Sequence, residues 1–119
     1  MRDFREIKVW EKAHRLTLTV YRVTRDFPKE ELFGLVSQAR RAASSIAANI
    51  AERCCRDTSA DFARFLRMSM GSASELDYHL LLAKDLNLLT TSDYEQLFGS
   101  VTEVKRMLAS FIQKLTADS

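Results

Sequence analysis

The sequence predicts an all-α protein: a single domain over residues 1–119, folded as an antiparallel up-down-up-down four-helix bundle. Three observations carry that expectation. Gly and Pro, which helix interiors tolerate poorly, number only 3 and 1 in 119 residues. Apolar residues recur at alternating spacings of three and four along four separate segments. No segment alternates with the period of two that a half-buried strand requires. A chain of this length buries a core without disulfide or metal staples. Four amphipathic helices with short connections do so most simply around one axis, at shallow crossing angles.

The first helix is expected over about residues 7–25. Val9, Ala13, Leu16, Val20 and Val23 form its stripe, with Trp10 beside them. Pro28 ends it, because a proline pushes the preceding residue out of the helical region. The second is expected over about 30–53, on Leu32, Val36, Ala39, Ala43, Ile46 and Ile50. Its central run, "QARRAASSIAANIAER", has small side chains that let a helix lie close to its neighbours. Two arginines, Asn49 and Glu52 interrupt that run, and it is too short to span a bilayer.

The string "CCRDTSAD" breaks the rhythm, and Asp57, Thr58 or Ser59 can accept the free amide hydrogens that open the next helix. That third helix, about 59–86, carries Phe62, Leu66, Ser69, Ala73, Leu76, Leu80 and Ala83. The fourth, about 92–115, carries Tyr94, Leu97, Val101, Val104, Leu108, Phe111 and Leu115, with Ser92 and Glu95 at capping-box spacing. Apolar residues also spread beyond these stripes: Tyr78, Leu81, Leu82 and Leu86, then Phe98, Met107 and Ile112. A homo-oligomer is therefore expected, against the alternative of a wide core stripe.

The formal net charge of +2 identifies no partner, but it is unevenly placed. Residues 1–60 carry 12 Lys/Arg against 8 Asp/Glu, and residues 61–119 carry 6 against 8. Lys8, Lys12, Arg15 and Arg22 share one face of the first helix, a stripe that could follow a phosphate backbone. Glu6 and Glu11 dilute it, so an ordinary solvated face explains the same pattern. A ring of subunits would multiply such a patch into a continuous basic surface. Arg40 and Arg41 lie in an alanine-rich helix with few acids nearby, open to contact with phosphate or with carboxylates such as Glu75 or Asp77. Gln38, Ser45, Asn49, Glu52 and Glu75 form a candidate polar core or interface set. Within it, Asn49 and Glu75 are expected to hydrogen-bond across the core and fix register.

Catalysis has little to build on. His14 and His79 are the two histidines, each expected as a partly buried polar residue. Adjacent Cys54 and Cys55 neither bridge readily to each other nor have the C-x2-C spacing of a zinc site, and are expected as free thiols. Gly34, Gly71 and Gly99 stand apart, so no phosphate loop is formed, and the Glu-x-x-His pattern of di-iron bundles is absent. No enzymatic activity, cofactor, metal or small-molecule substrate is expected. With no secretory segment and no long apolar run, the expectation is a reduced, cytoplasmic protein with no membrane partner.

The strings "VWEKA", "FPKEELFGLVSQARRAASSIAANIAE" and "DFARFLRMSMGSASELDYHLLLAKDL" resemble the four-helix-bundle proteins of the 23S ribosomal RNA intervening-sequence family. Trp10, Phe27, Pro28, Gly34, Gln38, Arg40, Arg41, Asn49, Glu52, Gly71 and Glu75 stand at positions of the family pattern. Arg53 departs from it, since the family usually has Gly there, and the departure adds a positive charge at the bundle end. The resemblance implies a left-handed bundle assembling as a ring, typically a pentamer, without catalytic activity. It also implies association with RNA or the ribosome, and a similar bundle serves retroelement reverse transcriptases as a nucleic-acid-binding accessory ring. On that reading Lys8, Lys12, Arg15, Arg22, Arg40 and Arg41 are the candidates for phosphate contact. The alternative is a protein-interaction or scaffold module whose arginines serve interfaces.

Overall fold

The rhythm of three and four becomes four α-helices in the computed structural model, which describes residues 3–53 and 58–117. They are α1 (Lys8–Thr24), α2 (Ser37–Arg53), α3 (Ser59–Asp85) and α4 (Thr91–Ala117), and no strand occurs among the described residues. Helix α1 packs on α2 and α4, and α3 packs on the same two, so the four form a bundle around one core. A 27-residue helix is about 40 Å long, so α3 and α4 run most of the 46 Å long axis.

The seams read from the sequence are the buried ones. Val9, Ala13, Leu16 and Val20 of α1 meet Ala39, Ala43, Ile46 and Ile50 of α2. Leu66, Ala73, Leu76 and Leu80 of α3 join Leu97, Val101, Val104 and Leu108 of α4 in the same core. Alanine at the seam lets backbones approach, and two hydrogen bonds record how closely. Thr17 Oγ1 reaches the Ala43 carbonyl at 3.1 Å, and Ser69 Oγ reaches the Ile46 carbonyl at 2.8 Å. A hydroxyl carried on Cβ spans to a neighbouring helix backbone only where the two helices nearly touch.

The second helix starts later than expected. Lys29–Glu31 form a three-ten turn and Leu32–Val36 a π-helical turn, so α2 begins at Ser37 rather than near residue 30. Gly34, at φ −106° and ψ −106°, lies outside the helical region and breaks the ladder there. The break rotates the preceding residues off the seam. Leu32, expected in the buried stripe, is 47% exposed and Phe33 is 91% exposed, whereas Leu35 and Val36 are buried.

The ends of α3 and the start of α4 follow local side-chain chemistry. Thr58 Oγ1 accepts from the Asp61 amide at 3.1 Å and caps α3; Asp57, another expected candidate, lies outside the described residues. Asn87 takes a left-handed conformation, φ 62°, and the Leu88 amide bonds back to the Ala83 carbonyl at 2.9 Å. Helix α4 is capped by Thr90, whose Oγ1 accepts from the Asp93 amide at 3.0 Å. The capping box expected on Ser92 does not form, because Ser92 is already inside the first turn.

Candidate nucleic-acid interface

Lys8, Lys12, Arg15 and Arg22 are all exposed along α1, but they are not equally available. Lys12 Nζ lies 3.2 Å from Glu103 Oε1 of α4, and Arg15 Nη2 lies 2.9 Å from Glu11 Oε1 one turn earlier. Exposed pairs of this kind are weak and exchangeable, yet they neutralise charge locally. Lys8 and Arg22 have no carboxylate partner among the described residues.

The adjacent arginines of α2 divide their roles. Arg40 is spent inside the chain: Nε donates to Thr24 Oγ1 at 3.0 Å and Nη2 to the Tyr21 carbonyl at 3.3 Å. Its guanidinium also sits 4.5 Å from the centroid of the Tyr21 ring. Neither expected carboxylate serves it, since Glu75 lies 3.5 Å from His79 Nε2 and Asp77 lies 3.4 Å from Lys105 Nζ. Arg41, roughly 100° further round the helix, is exposed and its side chain has no partner among the described residues. It lines a cleft with Tyr21, Leu32, Phe33 and Ser37.

The polar set of the seam is arranged differently from the sequence reading. Asn49 Nδ2 donates to the Ser45 carbonyl at 2.9 Å and to Ser45 Oγ at 3.2 Å, both one turn back in α2. Glu75 is exposed and does not meet it; Gln38 and Glu52 are exposed as well. The contact between α2 and α3 is made instead by short hydroxyls, with Ser72 Oγ donating to Ser45 Oγ at 3.1 Å. Helices this close leave room for a hydroxyl and none for an Asn–Glu pair.

Two cations not singled out from the sequence join Lys8. Arg106 and Lys114 of α4 line, with Lys8, a cleft of about 470 Å³ whose other walls are Ile7, Val9, Met107, Ser110 and Phe111. This lining has three cations and no carboxylate. In the sequence they are interleaved with the strict apolar stripe of α4, which dominates its pattern. The available signal was their spacing, since Arg106, Ser110 and Lys114 follow one another at intervals of four.

Arg53 is not a surface charge at the bundle end. It is only 6% exposed, with its guanidinium 4.7 Å from the Phe62 ring centroid and 4.8 Å from that of Phe111. His14 stacks on Trp10, centroids 4.9 Å apart. Among the described residues no three His, Cys, Asp or Glu side chains are grouped to hold a metal ion, and no helix is long and apolar enough to cross a membrane. Cys54 and Cys55 lie outside the described residues.

Comparison with known proteins places this bundle. The family model described as 23S rRNA-intervening sequence protein matches residues 5–110. The chain belongs to that family. The intervening-sequence match includes Lys8, Lys12, Arg15, Arg22, Arg40, Arg41 and Arg106, while Phe111 and Lys114 lie just beyond it. Among solved structures, a protein with unknown function from the S23 ribosomal protein family of Bacteroides thetaiotaomicron VPI-5482 is similar, with a TM-score of 0.80 and 27% identity. The alignment covers 88% of this chain and 98% of that one. No curated protein matches this intervening-sequence chain.

Proposed function

We propose that this chain is a non-enzymatic, homo-oligomeric helical bundle, its helices running up, down, up and down, that binds structured RNA through a basic surface. The observation that carries the reading is a set of cations without carboxylate partners among the described residues: Lys8, Arg22 and Arg41, with Arg106 and Lys114 beside Lys8. Lys8, Arg106 and Lys114, brought together without a carboxylate in their cleft, repel one another and favour a polyanion, whose binding releases counterions. Membership of a family named for a sequence that interrupts 23S rRNA supports RNA as that polyanion. Lys12 and Arg15 contribute by exchanging Glu103 and Glu11 for phosphate, whereas Arg40 holds α1 to α2. Action on ribosomal RNA or the ribosome implies a cytoplasmic setting.

Self-association is supported by the apolar residues left in solvent. Phe33, Tyr78 and Leu86 are more than half exposed, and Leu81 and Phe98 nearly so. A ring, five-membered as the family resemblance implies, would repeat the basic patch around its circumference. A second reading, a protein-docking scaffold without direct RNA contact, is favoured by Phe33 standing in solvent beside Leu32 and Tyr21.

Fluorescence anisotropy with a structured RNA separates the two. The RNA reading expects binding by the native protein and at least a roughly tenfold loss in a Lys8→Glu, Arg22→Glu, Arg41→Glu variant with unchanged circular dichroism. The scaffold reading expects no RNA binding by either protein. Light scattering on the same samples gives the subunit number.

A further inference from the structure

The cleft between the start of α1 and the last turns of α4 has two chemistries in one space. Lys8, Arg106 and Lys114 supply positive charge from its walls, and Met107 and Phe111, with neighbouring aliphatic residues, supply an apolar surface. Arg106 and Lys114 are exposed and carry no ion pair among the described residues, so their charge is available to a ligand. Helix α1 also opens here without a side-chain cap. Its volume, about 470 Å³, falls within the roughly 300–1,000 Å³ of small-ligand sites.

An RNA duplex does not match this combination. Its exterior offers phosphate and sugar while its bases stay stacked inside, so an apolar wall would remain wet against it. An unpaired nucleotide matches both halves, because it carries phosphate on its backbone and exposes the flat face of its base. Arg106 and Lys114 lie two turns apart on one stripe of α4, about 12 Å along the axis, and their long side chains can converge on the phosphates that flank one base.

We propose that this cleft is a single-strand site, which takes an unpaired nucleotide of the bound RNA with its base against Met107 and Phe111 and its flanking phosphates on Lys8, Arg106 and Lys114. The inference rests on the RNA reading above and adds what part of the RNA is held. It also divides the labour of the surface: Arg22 and Arg41, outside the cleft, contact backbone of any geometry.

The test uses the full chain and three eight-nucleotide probes: single-stranded RNA, the same sequence as a duplex, and an abasic strand with equal phosphates. The single strand is expected to bind at least roughly tenfold tighter than either other probe, the scale of base stacking on a protein surface. An Arg106→Ala, Lys114→Ala variant, altered only at exposed positions, is expected to lose that preference, its single-strand affinity falling to that of the duplex. Met107→Gln is expected to weaken single-strand binding several-fold and leave abasic binding unchanged. Equal binding of the duplex or abasic probe overturns the single-strand site, as does a preference that survives the double variant. A protein that binds none of the three, nor a longer structured RNA, overturns the RNA reading itself, so the two failures are distinguishable.

Discussion

Ser69 Oγ of α3 donates a 2.8 Å hydrogen bond to the main-chain carbonyl of Ile46 in α2, with both residues fully buried. The Ile46 carbonyl is part of the α2 ladder, so the serine adds a second bond to it from the neighbouring helix. Ser69→Ala removes the donor without leaving a charged group or a large void, and should cost about 1 kcal/mol. Ser69→Leu should cost more, about 1–3 kcal/mol, because the helices have no space to yield. Thermal melting of both variants checks this, and a leucine variant as stable as the alanine one would contradict the close approach.

Arg53 is a packed residue between Phe62 and Phe111. Glycine at this position removes the stem that fills that space and both ring contacts, which in a desolvated setting are worth up to about 2 kcal/mol each. Arg53→Gly should therefore lower the melting temperature by several degrees, and Arg53→Lys should recover only part of it, since a lysine cannot lie flat between two rings. Chemical denaturation of the two variants reports the difference in midpoint.

Arg40 and Arg41 should dissociate stability from binding. Arg40→Ala breaks the bonds to Thr24 and Tyr21 and should destabilise the fold by about 1–2 kcal/mol, with RNA affinity little changed once the protein is folded. Arg41→Ala should leave the melting temperature unaltered and weaken RNA binding several-fold. Measuring both quantities for both variants decides the assignment; the reverse pattern would refute it.

Phe33 gains little from the monomer, being 91% exposed on the π-helical turn ahead of α2. Phe33→Ser should leave helical content unchanged and shift light-scattering mass toward smaller species at low micromolar concentration. A mass unchanged by that substitution would show that the phenylalanine takes no part in assembly.

The seams were legible because burial in a bundle depends on a period, and Ala39, Ala43, Ile46 and Ile50 or Leu97, Val101, Val104 and Leu108 state that period plainly. The onset of α2 was not, because Leu32 and Val36 keep the spacing while Gly34 breaks the backbone between them. The Asn49–Glu75 bond was expected from residue type alone; interhelix distance, which no spacing encodes, decided in favour of Ser72 and Ser45. The same holds for the surface. The α1 cations were visible as a stripe, but Glu103, which neutralises Lys12, and Arg106 and Lys114, which join Lys8, come from the opposite end of the chain.

The central claim, that a basic surface of this bundle holds RNA through phosphate contacts, is tested most directly by RNA affinity across a salt series. Each phosphate neutralised contributes about −0.7 to −0.9 to the slope of log affinity against log salt. Lys8, Arg22, Arg41, Arg106 and Lys114, acting in a single subunit, predict a slope of roughly −3.5 to −4.5, and a steeper one where several subunits engage one RNA. Binding absent at about 50 mM salt, or a slope near zero, would contradict the account.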